Sequence, residues 1–108
     1  MPVPEITADE LAERLAAPGA RLFDVRQPHE YENGHVPSAV LIPLNDVPDR
    51  LDEFPTEGEV LVICRSGARS RTACEFLIEN GVAAINIAGG TLSWMDTGRE
   101  VTGGSSPS

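Results

Sequence analysis

The run Val60-Leu61-Val62-Ile63 ends on Cys64 and passes into Arg65-Ser66-Gly67-Ala68-Arg69-Ser70, after which a helical pattern begins. Four consecutive apolar residues, three of them β-branched, suit a strand covered on both faces of a parallel sheet, although a run this short also fits a helix segment on periodicity alone. Parallel sheets place their ligand sites beyond the carboxyl ends of the strands, which is where Cys64 falls. One junction therefore suggests both an α/β fold and the place of its chemistry.

The rest of the chain agrees with alternating strands and helices. Thr7-Ala8-Asp9-Glu10 has capping-box spacing, Leu11 and Leu15 follow at a helical interval, and Pro18-Gly19 ends the segment. Arg21 to Val25 reads as a strand, Pro28 to Glu32 as a short helical turn, and Ala39 to Ile42 as a brief strand bracketed by Pro37 and Pro43. Asn45 to Leu51 reads as another brief helix. From Ser70 to Asn80, the residues Ala73, Cys74, Leu77 and Ile78 form an apolar stripe, Arg71, Glu75 and Glu79 form a solvated one, and Asn80-Gly81 is the stop. Ala83 to Ile87 supplies the last strand, and Gly89-Gly90 opens a short helix containing Trp94. The pattern predicts an α/β domain over residues 1–98 and a flexible Gly/Ser-rich tail over residues 99–108.

At 108 residues a single domain buries about two-thirds of the surface its unfolded form exposes, so neither a disulfide nor a metal is needed to hold it. Cys64 and Cys74 lack paired zinc-ligand spacing and lie far in sequence from His29 and His35; no metal and no cofactor is expected. The first six residues lack a basic segment followed by an apolar one, and no stretch approaches the length of a membrane span. These features predict a cytoplasmic protein in a reducing compartment, without a membrane partner. The formal net charge of −9 argues against a nucleic-acid or anionic-lipid surface. Yet three of the eight basic residues, all of them arginine, fall between positions 65 and 71. A local cationic site on an acidic body suits a small anion.

The turn after Cys64 can aim backbone N–H groups inward, and Gly67 with Ala68 leaves the concavity free of bulky side chains. Those amides, a helix N-terminus and nearby guanidinium groups all favour negative charge on sulfur, which marks Cys64 as a nucleophile. Arg65 and Arg69 are candidate substrate contacts, because guanidinium offers a planar array of donors. Arg71 is assigned to the surface. Cys74, on the apolar stripe, is assigned to the core.

Asp24-Val25-Arg26 with Glu30-Tyr31, Gly34-His35-Val36-Pro37-Ser38-Ala39, Cys64 to Ser70, and Gly89-Gly90-Thr91-Leu92-Ser93-Trp94 stand in order along the chain. Together they carry a resemblance, from Ile6 to about Trp94, to the single-domain rhodaneses, which are thiosulfate or related sulfurtransferases. Ser38 stands where the family pattern has glycine. The resemblance implies a three-layer rhodanese-like fold, a five-stranded parallel sheet with helices on both faces and the cysteine after the fourth strand. The segments above match that count when a short strand lies around Val3 to Ile6. It further implies ping-pong chemistry: the Cys64 thiolate takes the outer sulfur of a small anionic donor such as thiosulfate, and the resulting persulfide passes it to a thiophilic acceptor such as cyanide or a thiol. Arg65, Ser66, Gly67, Ala68, Arg69 and Ser70 would form the substrate-binding loop. Asp24, Arg26 and Glu30 would support it structurally, with His35 a hydrogen-bonded turn residue and Tyr31 and Trp94 packing residues. The alternative is a persulfide carrier that delivers sulfur to a protein partner with little free-standing turnover.

Related phosphatases and arsenate reductases separate cysteine and arginine by five residues, which makes a wider cradle for a tetrahedral oxyanion. Here four residues separate Cys64 from Arg69, and Ser70 stands where that arginine would be. The interval favours sulfur over phosphate.

Overall fold

A computed structural model describes residues 2–108. Five strands form one sheet in the order β1-β5-β4-β2-β3, and every neighbouring pair is parallel. They are β1 (Glu5–Ile6), β2 (Arg21–Asp24), β3 (Val40–Leu41), β4 (Glu59–Ile63) and β5 (Ala83–Ile87), joined through the helices α1 (Ala8–Leu15), α2 (Pro28–Asn33), α3 (Ala68–Glu79) and α4 (Gly90–Asp96). The central strand β4 is buried from Val60 to Ile63, as its unbroken apolar run requires. Val60, Val62 and Cys64 face one core with Ala73, Cys74 and Leu77 of α3. Leu61 and Ile63 face the other, with Leu11 of α1, Tyr31 of α2 and Trp94 of α4. The alternation of the strand thus puts helices on both faces of the sheet.

Local signals explain how several elements begin. In the capping box of α1, the Thr7 side chain accepts from the Glu10 amide at 3.1 Å and Glu10 accepts from the Thr7 amide at 3.0 Å. Pro28 opens α2, where its missing N–H leaves no bond unmade. The brief helix expected over Asn45 to Leu51 is instead a pair of 3₁₀ turns, Leu44–Asp46 and Leu51–Glu53. Pro48 lies between them and has no N–H with which to continue an α-helical ladder. Helix α3 starts at Ala68, two residues before the predicted Ser70, which brings its first turn against the cysteine loop.

The carboxyl-terminal segment differs from the flexible tail expected of it. The Thr102 and His35 backbones pair in both directions, the Gly104 N–H donates to Glu32 O, and the Ser38 N–H donates to Pro107 O at 2.9 Å. Fully buried His35 supplies the physical reason. Its ring nitrogens lie 2.8 Å from Tyr31 O and 2.9 Å from Ser106 O, while its ring stacks on Tyr31 at 3.6 Å between centroids. A buried imidazole needs such partners, and the terminal segment provides one. Ser38 holds φ +78°, the left-handed conformation that glycine ordinarily supplies at little steric cost.

Among the described residues, no helix is long and apolar enough to cross a membrane, and no group of three or more His, Cys, Asp or Glu residues is placed to hold a metal ion.

Candidate active site

Cys64 follows the last residue of β4 and is only 1% exposed, so its sulfur lies on the floor of the loop that carries the chain into α3. Gly67 makes that loop possible. It caps α3 at φ +112°, a backbone geometry unfavourable for a residue with a Cβ, and turns its N–H to 3.1 Å from Cys64 Sγ. Ser70 Oγ lies 3.3 Å from the same sulfur, and the Ser66 and Ser70 backbone amides add to the favourable field around it. Burial pushes the Cys64 thiol up, but the Ser70 hydroxyl and the amides of Ser70, Gly67 and Ser66 together outweigh it and bring the thiol below its ordinary value. The arrangement stabilises charge on sulfur with preorganised donors. Cys74 is the contrast: burial raises its thiol to about 12, leaving a neutral core residue.

The loop rests on two layers of support. Asp24, fully buried at the end of β2, receives Arg26 Nε and Nη2 at 3.0 and 2.8 Å, while Nη2 also donates to Gly34 O at 2.9 Å. Glu30 of α2 receives both terminal nitrogens of Arg69, at 2.7 and 2.8 Å. This pair fastens α2 to the first turn of α3, and it directs the Arg69 guanidinium to Glu30. Arg65 differs: among the described residues its exposed side chain has no carboxylate partner. Ser66 and Ala68 are exposed, whereas Ser70 is buried behind the sulfur. Of the six loop positions expected to meet substrate, Arg65, Ser66 and Ala68 are exposed, Gly67 and Arg69 are half-buried, and Ser70 is buried beside the sulfur.

Other contributors lie far along the chain. Thr91 donates its N–H and Oγ to Cys64 O at 2.9 and 3.0 Å, and the Leu92 N–H donates to Arg65 O at 3.1 Å, so the start of α4 holds the loop backbone. Gly90 permits that approach, because a Cβ there would lie 2.4 Å from Cys64 O. Asn86 of β5 contacts Ser70 Oγ through Oδ1, and its Nδ2 reaches Gly67 O at 3.1 Å and Glu5 Oε2 at 2.8 Å. Sequence reasoning missed Asn86 as a site residue. Its signal was a lone amide inside an otherwise apolar strand.

A family model described as "Rhodanese-like domain" matches residues 7–97. The chain belongs to the rhodanese-like family. Across 94 residues it is 38% identical to a protein of Allochromatium vinosum named "Sulfurtransferase", with 85% of this chain and 88% of that protein covered. It is 30% identical to the thiosulfate sulfurtransferase GlpE of Pseudomonas syringae over 82% of this chain and 84% of that one. The crystal structure of a rhodanese-like domain protein from Staphylococcus aureus superimposes with a TM-score of 0.81 at 35% identity, covering 85% of this chain and 91% of that chain. A rhodanese-related protein from Thermoplasma volcanium gives a TM-score of 0.85 at 30% identity, with 92% and 97% covered. Five parallel strands between two helical layers are therefore the rhodanese-like fold in this chain.

The Glu30–Arg69 clamp has a definite pH signature. Chiefly through the Arg69 hydrogen bonds, against the opposing effect of burial, the Glu30 carboxyl is lowered from 4.5 to about 2. Because the folded value lies below the unfolded one, its stabilisation is complete above 4.5 and is lost as pH falls toward 2. Urea unfolding at a series of pH values should show this loss in the wild-type domain and a shallower one in Glu30→Gln. Identical acid profiles would show that the clamp adds nothing to stability.

Proposed function

We propose that this rhodanese-like domain is a sulfurtransferase in which Cys64 is the nucleophile and sulfur carrier. The observation that carries the reading is the Cys64 sulfur on the floor of a loop, with the Gly67 N–H at 3.1 Å and Ser70 Oγ at 3.3 Å. With thiosulfate as donor, the Cys64 thiolate attacks the outer sulfur, the S–S bond of the donor breaks with its electron pair leaving on sulfite, and a Cys64 persulfide anion remains. An acceptor such as cyanide or a thiolate then attacks the outer sulfur of the persulfide, and the pair released returns Cys64 to the thiolate. Both resting forms are anions, so one set of inward amides serves both half-reactions. Arg65, which has no carboxylate partner among the described residues, would meet the oxyanion of the donor. The names of the relatives support the donor class, and two free thiols suit a reducing, cytoplasmic setting.

Intact-protein mass spectrometry after thiosulfate exposure should show one added sulfur on the wild-type protein and none on Cys64→Ser, with cyanide removing it. No adduct, or an adduct that survives Cys64→Ser, would overturn the proposal. A phosphate ester in the same series should not be hydrolysed.

One observation favours delivery to a protein. Leu92 and Met95 are exposed large hydrophobic residues, 39% and 51% accessible, in a groove of about 230 Å³ that also includes Arg65. An acceptor protein covering that rim would bury them. In that case transfer to the protein acceptor outpaces transfer to cyanide, and Leu92→Ser slows only the former.

A further inference from the structure

We propose that Asn86 is a positioning residue for this reaction: it competes with Cys64 for the single hydroxyl proton of Ser70 and thereby governs how readily the sulfur carries charge. The inference rests on the reading of Cys64 as nucleophile.

Ser70 Oγ is within reach of Cys64 Sγ and Gly67 O, both at 3.3 Å, and of Asn86 Oδ1. A serine hydroxyl has one proton to give. The orientation of the Asn86 amide follows from its other partners: Nδ2 lies 2.8 Å from Glu5 Oε2 and 3.1 Å from Gly67 O, which only accept. A flipped amide would oppose oxygen to both of them. Oδ1 therefore faces Ser70 as an acceptor. Ser70 and Asn86 are 0% and 1% exposed, so bulk water does not stand in for either partner.

Two arrangements of the proton follow. When Cys64 is a thiol, S–H donates to Ser70 Oγ and the Ser70 hydroxyl donates to Asn86 Oδ1, a chain in which every donor has a partner. When Cys64 is a thiolate, the Ser70 proton turns to the sulfur and Asn86 Oδ1 is left buried opposite an oxygen lone pair. Ionisation of Cys64 is thus opposed by an acceptor that loses its donor. The loop amides lower the energy of the thiolate while Asn86 limits how far that goes. A thiolate held too firmly is a poorer nucleophile, so the limit has a chemical use.

Asn86 also anchors the Gly67 carbonyl, and a double-mutant cycle separates the two effects. The readout is the pH dependence of Cys64 alkylation by iodoacetamide, with Asn86→Leu placed in wild type and in Ser70→Ala. The surrounding charges are Glu5 of β1, Arg69 and Arg71 of α3, Glu30 of α2, Asp24 and Arg26 at β2, and Arg65 in the loop. They are common to all four proteins, as is Cys74. Ser70→Ala alone should move the alkylation midpoint upward. Asn86→Leu should move it lower, relative to its own background, by about one pH unit more when Ser70 is present than when it is absent. Ser70→Thr, which keeps the hydroxyl, should restore that difference. If Asn86→Leu does not fold, Asn86→Val in the same backgrounds gives the same comparison. Equal shifts in the two backgrounds, or an upward shift confined to the background with Ser70, would overturn the proposal. Sulfur loading of the wild type by thiosulfate, read by mass spectrometry, is a separate arm: its failure removes the sulfurtransferase reading and leaves the cycle interpretable.

Discussion

Arg26→Met should destabilise the domain by about 3–5 kcal/mol, the loss typical of removing one partner from a buried ion pair. Asp24 is fully buried and takes Arg26 Nε at 3.0 Å, Arg26 Nη2 at 2.8 Å and the Arg26 backbone N–H at 3.1 Å. Methionine preserves much of the buried stem but leaves that carboxylate without its counter-charge. Gly34 O loses its guanidinium donor in the same step. Replacing both members, Asp24→Leu with Arg26→Met, removes the stranded charge and should recover a large part of the stability. Urea denaturation of the two variants checks this. A loss below about 1 kcal/mol for the single variant would show that the pair is not the buried strut its geometry describes.

Gly90→Ala should reduce sulfur transfer by about a hundredfold or more, the scale associated with displacing reacting groups by an ångström. The added Cβ would lie 2.4 Å from Cys64 O and 2.6 Å from the carbonyl carbon and oxygen of Arg65, all backbone atoms unable to swing aside. Either α4 retreats or the loop does, and in both cases the Thr91 bonds to Cys64 O are disturbed. Gly81→Ala supplies the control. Gly81 has φ +84° with nothing within 4 Å of the point a Cβ would occupy, so alanine there should cost about 1–2 kcal/mol of stability and leave transfer intact. Steady-state transfer by the two variants, with unfolding curves beside them, separates strain from displacement. Comparable activity in both would show that the loop tolerates the intrusion.

The parts of this molecule legible in its sequence are those determined by neighbours along the chain. The Thr7–Glu10 box, the helix stop at Asn80-Gly81 and the strand Ala83–Ile87 depend on spacing and local backbone preference, and the structure has them at those places. The site is assembled over longer distances. Glu30 and Arg69 are 39 positions apart, and Ser70 and Asn86 are 16 apart; periodicity carries no information about such pairs. Composition also misjudged the last ten residues. Glycine and serine indicate little apolar burial, but the segment is held by backbone bonds to His35, Glu32 and Ser38, which composition does not register.

The narrow margins of the sheet bear on how the protein tolerates crowding. Both edge strands, β1 and β3, are two residues long, Pro4 immediately precedes the first, and Pro43 lies two residues beyond the second. An edge that short, with proline close at hand, offers a second chain little ladder on which to extend. The domain therefore carries its cysteine loop at the carboxyl end of a sheet that does not also present a template for fibril growth.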